Sequence, residues 1–164
     1  MVFSTKFAEL KDKGFFNNLV ITRGIEKESL RVKDTALLSQ SDHPKQLGSP
    51  LTNKYITTDF SEALIELVTP TFNDINEIYD FLLDLHIYTA HAMESDEVLW
   101  SNSMPCLIED ESEIRIAEYG SSNIGKLKNI YRRGLRVRYG SIMQCVAGIH
   151  YNFSINDASL GLLA

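Results

Sequence analysis

Apolar positions change their period several times along the chain, and each change marks an element. Phe3, Phe7 and Leu10 recur at helical spacing within residues 3–13, which predicts a short amphipathic helix. From Asn18 the chain turns β-rich: LVITRGIEKESLRV carries β-branched residues at a rough period of two and reads as strand. Ser39 to Pro50 is polar, with two prolines and one glycine, and reads as loop. The apolar run ALIELV, residues 63–68, stops at Pro70 and predicts a strand covered on both faces. Beyond it, Asp74 and Glu77 make a start similar to a capping box. Ile75, Ile78, Tyr79, Leu82, Leu85, Thr89 and Met93 then follow at three- and four-residue steps, the stripe of an amphipathic helix.

Residues 95–123, with SMPC inside them, lack a period and are expected as an extended loop. A second helix is expected over Ile124 to Arg138, with Ile124, Leu127, Tyr131 and Leu135 on one face. The last element is a strand over Ile142 to Ile155. Its odd positions, Met143, Cys145, Ala147, Ile149, Tyr151 and Phe153, are apolar and predict a core face. No repeat or low-complexity tract interrupts the sequence. Helices and strands without regular βαβ alternation favour an α+β fold, with residues 1–164 forming one domain or part of one.

Composition adds exclusions. The net charge is −6 and the pI about 5.2, which argues against a general nucleic-acid binder, since phosphate neutralisation needs a cationic surface. Cys106 and Cys145 fit no zinc spacing, and reduced thiols are favoured over a disulfide. The first residues, broken by Lys6, Glu9, Lys11, Asp12 and Lys13, lack a signal-peptide apolar core. No stretch approaches the roughly 20 apolar residues of a membrane helix. The cytoplasm is the expected location.

Candidate chemistry sits on the strands. Residues two apart share a strand face, so Glu26 and Glu28 point the same way, and Glu66 lies between Leu64 and Val68. An ionised carboxylate on an apolar face must be paired, protonated or bound to metal. Oxygen donors at this density suit Mg²⁺ or Mn²⁺ rather than zinc. The alternative is a solvated face on which Lys27 and Arg31 supply ordinary ion pairs. On the last strand the even positions, Gln144, Val146, Gly148, His150 and Asn152, set an imidazole and two amides beside a glycine, which suggests a lined cavity; a satisfied structural histidine is the plainer account. Six of the sixteen Lys and Arg fall within residues 126–138. They could receive phosphate, form a small nucleotide- or RNA-binding module with Tyr131 and Tyr139, or be a solvated helix face. Neither GxxxxGK[ST] nor GxGxxG is present.

Five segments in register carry a resemblance: RGIEKESLRV at 23–32, LGSPLTNKYITTDFSEALIELVTP at 47–70, SMPC at 103–106, YGSSNIGKLKNIYRRGLRVRYG at 119–140 and GIHYNFS at 148–154. Together they resemble the proteobacterial type of glutamate–cysteine ligase from about residue 15 to residue 155. The resemblance implies a fold similar to glutamine synthetase, with a curved, largely antiparallel sheet and outer helices. It implies ATP-dependent joining of the L-glutamate side-chain carboxylate to the amine of L-cysteine, through an acyl phosphate, with Mg²⁺ or Mn²⁺. On the family's pattern the metal ligands match Glu26, Glu28, Asp59, Glu66 and His150. The cysteine pocket matches Phe60, Tyr131, Leu135 and Gln144, and the glutamate site Val146, Gly148 and Asn152. Family members are roughly three times this length, so the chain is expected to be an N-terminal portion, inactive without a further C-terminal segment.

Overall fold

The computed structural model describes residues 2–163. Four helices are present among them, α1 (Val2–Asp12), α2 (Ile75–Ala92), α3 (Asn123–Tyr139) and the short α4 (Asp157–Leu160). Five strands, β1 (Ile21–Lys33), β2 (Ile56–Thr58), β3 (Leu64–Val68), β4 (Glu97–Leu99) and β5 (Ile149–Ile155), form one sheet. Every strand pairing is antiparallel, and the α+β expectation holds. The Phe3 side chain lies outside the described residues.

Strand β1 organises the rest. Its alternate amides serve opposite edges: Arg31 N donates to Ala63 O, whereas Glu28 N donates to Gly148 O and Trp100 N to Leu30 O. One edge therefore carries β3 against Glu26–Leu30. The other carries β5 against Ile21–Lys27 and β4 against Arg31–Lys33. Strand β3 is buried on both faces, as its unbroken apolar run predicts. Leu64 joins Leu30, Phe60, Ile114 and Cys145 in one core cluster. Ile65 and Leu67 join Ile56, Leu47 and Leu85 of α2 in a second cluster. The two cysteines are free and buried in the first cluster, and burial pushes the Cys145 thiol up to about 12.

Four expectations need correction. Asp74 caps α2 by accepting from Asn76 N at 2.6 Å rather than from the third residue of the helix, so no reciprocal box forms. Residues 95–123 are not merely loop: they hold β4 and bury Cys106, Ile114, Ala117 and Tyr119. Helix α3 forms where expected, but its buried residues are Gly125 and Arg132, and Ile124, Leu127 and Tyr131 stay exposed. At about 100° per residue, the face that packs lies roughly a quarter turn from the apolar stripe. Finally, no single strand spans Ile142 to Ile155. Residues Ile142–Cys145 are a 3₁₀ turn, and only Ile149–Ile155 is strand. Cys145 and Ala147 are core, but Met143, Ile149, Tyr151 and Phe153 face outward.

Arg31 is not a surface cation. It is 0% exposed; Nη1 donates to both Glu97 carboxylate oxygens at 3.3 and 3.4 Å, and Nη2 donates to Ser41 O and Glu62 O. The Ser39 hydroxyl also donates to Glu97. Glu62 in turn accepts from His43 N and Glu118 N, both at 2.9 Å. The ion pair thus ties β1, the 39–50 loop and β4 together. Removing one partner strands a buried charge, at a cost of about 3–5 kcal/mol. Glu97→Ala is expected to lower the unfolding free energy from urea titration by that much and the midpoint with it, whereas Lys13→Ala, which breaks an exposed pair with Glu9, leaves the midpoint unmoved. Equal midpoints for the two variants would refute this role of Arg31.

Candidate functional site

Strand alternation sets Glu26 and Glu28 on one face of β1, and the register does the rest. Glu28 lies opposite Glu66 of β3, while Glu26 lies opposite Val68 on one side and His150 of β5 on the other. Like charges placed directly across a sheet repel. The strand ends beside them supply partial relief. Gly148 N donates to Glu28 Oε2 at 2.7 Å, His150 Nδ1 lies 3.2 Å from Glu26 Oε2, and Asn152 Nδ2 donates to Glu26 Oε1 at 3.2 Å. A Cβ at position 148 would sit 3.4 Å from His150 Nε2 and 3.5 Å from Glu28 Oε2. Glycine therefore lets the main chain approach a carboxylate that larger residues would crowd.

The electrostatics follow from this crowding. Burial pushes Glu28 above its ordinary range, the Gly148 amide opposes the rise, and the charges of Asp59 and Glu26 add to it. Burial likewise raises Glu66, with Asp59, Glu28 and Glu26 adding and Arg132 opposing. His150, hydrogen-bonded to Glu26 and near Glu28 and Glu66, is raised as well. Asp59, just beyond β2, is thus part of the same field.

The structure brings Glu26, Glu28, Asp59, Glu66, His150, Gly148 and Asn152 into one neighbourhood. It does not gather the other expected residues into one pocket. Phe60 is 1% exposed and belongs to the core. Tyr131 and Leu135 line a cleft of about 240 Å³ on α3 with Ile130, Gly134 and Arg138, which neither Phe60 nor Gln144 lines. Gln144 sits on the 3₁₀ turn and Val146 just after it, so neither shares a strand face with His150. The solvated-face account of Lys27 and Arg31 fails: Lys27 donates to Ser29 Oγ, and Arg31 is buried with Glu97. Sequence reasoning also missed Tyr119, whose hydroxyl reaches the Thr58 and Asp59 carbonyls. Nothing in the pattern around it signals that contact.

The donor set, four carboxylates and one imidazole, has the chemistry of a hard divalent cation site. Among the described residues no three His, Cys, Asp or Glu are gathered closely enough to hold an ion as they stand. The oxygens of Glu26 and Glu28 are instead turned to His150, Asn152 and Gly148.

An antiparallel open sheet with helices, bearing ionisable side chains from three strands on one face, has the arrangement of a glutamine synthetase-like fold. The chain belongs to the glutamate–cysteine ligase family, whose sequence model matches residues 7–164. It is 53% identical over 137 residues to a glutamate–cysteine ligase of Hahella chejuensis and 54% identical over 138 residues to that of Alcanivorax borkumensis. Each alignment covers 84% of this chain and 26% of the relative, so the chain spans about a quarter of the length of the curated relatives it matches. Among solved structures it is similar to the glutamate–cysteine ligase of Francisella tularensis in complex with AMP. The TM-score is 0.86 at 45% identity, over 89% of this chain and 29% of that one. A bifunctional glutathione synthetase from Pasteurella multocida matches with TM-score 0.84 at 27% identity, over 96% of this chain and 20% of that one.

A carboxyl group whose pKa rises on folding holds its proton more tightly when folded. Its contribution is therefore most favourable below the ordinary value of 4.5 and declines as pH rises toward the folded value. His150, also raised, loses its contribution in the same direction, from its ordinary 6.5 upward. Without added cation, Glu66→Gln is expected to be more stable than the parent above the raised folded value, with the gap closing as the pH falls toward 4.5. Urea midpoints measured from pH 4 to 8 check this; parallel curves for the two proteins would overturn the assignment of repulsion to Glu66.

Proposed function

We propose that this chain forms part of an ATP-dependent ligase that joins L-glutamate to L-cysteine. Glu26, Glu28, Asp59, Glu66 and His150 would hold Mg²⁺ or Mn²⁺. The γ-phosphoryl of ATP passes to the glutamate side-chain carboxylate, giving an acyl phosphate and ADP. The cysteine amine then attacks the acyl carbon, phosphate leaves, and the amine loses its proton. Phosphoryl transfer asks a protein chiefly for positioning and for neutralisation of phosphate charge, and bound divalent cations supply the second. The observation that carries the reading is the facing of Glu28 and Glu66 with Glu26 and His150 beside them. Repelling carboxylates held half-buried are costly unless a cation is gathered among them.

In this reading Gly148 and Asn152 border the glutamate site with Val146. Tyr131 and Leu135 border the cysteine pocket, with Leu135 packed on the core cluster that holds Phe60, and Gln144 would have to join them from the 3₁₀ turn. Residues 1–164 form one N-terminal portion of a catalytic domain. The outward apolar side chains of α3 and β5 would offer a packing surface to further sequence of the kind the longer relatives carry. Among the described residues no helix is long and apolar enough to cross a membrane. The nucleotide- or RNA-binding alternative gains no support from the relatives, and its helix turns Lys128, Arg132 and Arg136 toward the body.

Two measurements test the proposal. Calorimetric titration with Mn²⁺ is expected to give heat that Glu28→Ala or Glu66→Ala reduces at least tenfold in affinity; binding indifferent to both substitutions would remove the site. The 164-residue polypeptide is expected to form no γ-glutamylcysteine from ATP, glutamate and cysteine by itself. Activity should appear when the further segment of a relative is supplied in frame. A fusion that folds, binds Mn²⁺ and still makes no product would rule out the ligase reading for these residues.

A further inference from the structure

Helix α3 carries an apolar stripe, yet it turns Lys128, Arg132 and Arg136 toward the body, and a metal site alone does not require that. Arg132 is 9% exposed. Its Nε donates to Asp59 O at 2.5 Å, its Nη1 donates to Lys128 O at 3.1 Å, and its guanidinium lies 4.7 Å from the centroid of the Tyr119 ring. The Tyr119 hydroxyl lies 2.6 Å from Thr58 O and 3.2 Å from Asp59 O, and it accepts from the Thr58 hydroxyl at 3.1 Å. A phenol has one proton to give. It goes to the nearer carbonyl, Thr58 O, which leaves Asp59 O to Arg132. On the other side, Asp59 N donates to Leu64 O and Ala117 N to Phe60 O, both at 3.0 Å. A Cβ at Gly125 would collide with Tyr119 O and come within 2.9 Å of Gly120 O, so the glycine lets α3 settle directly on the segment that carries Tyr119.

We propose that Arg132 and Tyr119 clamp the main chain at Thr58–Asp59 and so aim the Asp59 carboxylate at Glu28 and Glu66. They are positioning residues for the cation, and the roll of α3 that buries Arg132 supplies one of them. The proposal rests on the metal reading of the carboxylate face. Without the clamp, Asp59 would swing away from its like-charged neighbours, because repulsion favours separation.

Charge and positioning predict opposite signs. If Arg132 acted only as a nearby positive charge, Arg132→Ala would tighten binding of a dication. If it positions Asp59, the substitution weakens binding. Tyr119→Phe removes the hydroxyl without changing charge, and Arg132→Lys keeps the charge while losing the Nε–H and the planar stack. Mn²⁺ calorimetry at fixed pH is expected to show each of the three variants roughly tenfold or more weaker than the parent, as for other groups that orient metal ligands. The Tyr119→Phe/Arg132→Ala double variant should lose less than the product of the single losses. In the cation-free protein, amide exchange should accelerate at Asp59 and Ala117 while the β1–β3 ladder keeps its protection. Urea midpoints identify any variant that fails to fold, and Tyr119→Phe and Arg132→Lys carry the test if Arg132→Ala does.

Tighter Mn²⁺ binding by Arg132→Ala together with unchanged binding by Tyr119→Phe would overturn the clamp. Unchanged exchange at Asp59 in every folded variant would do the same. Absence of Mn²⁺ heat in the parent itself would sink the metal reading and, with it, the clamp's role in holding a cation. Accelerated exchange would then show that the contact exists without serving a cation.

Discussion

Negative charges collected on one side of a sheet repel, and the chain must hold them where repulsion would scatter them. That constraint explains much of the architecture around β1. Side-chain flexibility alone would let Glu26, Glu28 and Glu66 turn apart, but main-chain register fixes their Cα positions opposite or beside one another. What remains free is the carboxylate orientation, and here β5 intervenes with an imidazole and an amide, and Gly148 just before it with a main-chain N–H. Each of these donors is individually modest. Together they keep two of the carboxylates on the face that a cation would need.

The strand that carries the acids also carries their structural counterweight. Three residues past Glu28, Arg31 lies wholly inside the protein, paired with Glu97 and bonded to two carbonyls. One half of β1 is therefore costly to assemble, and the other half is locked by a buried ion pair with its hydrogen bonds largely satisfied. Glu62 extends the lock by bonding the amides of His43 and Glu118. Glu118 directly precedes Tyr119, so the segment that reaches the Asp59 main chain is tied at its start to the same network. The elements that frame the carboxylates are thus held by charges several residues away.

Helix α3 and strand β5 show how local amphipathicity can yield to a stronger demand. Both present large apolar side chains outward, Leu127 and Tyr131 on the helix and Ile149 and Phe153 on the strand. Each also sends polar groups toward the acidic strands: the buried Arg132 to the Asp59 carbonyl from α3, and the exposed His150 and Asn152 to Glu26 from β5. Burying a few more apolar side chains would stabilise each element by about 1.5–3 kcal/mol apiece. Within residues 2–163 that gain is not taken, while Arg132, His150 and Asn152 satisfy a carbonyl and a carboxylate.

Much of this was legible in the chain alone. Alternation placed Glu26 and Glu28 on a common face, Pro70 ended β3, and the three-and-four spacing located both long helices to within a residue or two. Five segments in register pointed to the family. These features depend only on residues near in sequence, where the period of the backbone decides which side chains are neighbours. The tertiary structure decided the rest: which way α3 rolled, that the segment after Tyr139 spends its first residues in a 3₁₀ turn, that Arg31 is interior, and that Tyr119 meets Thr58 and Asp59 some 60 positions earlier. Such contacts are set by which buried charges and carbonyls must find partners once the strands are paired. The hydrophobic period of a single segment carries no record of that requirement.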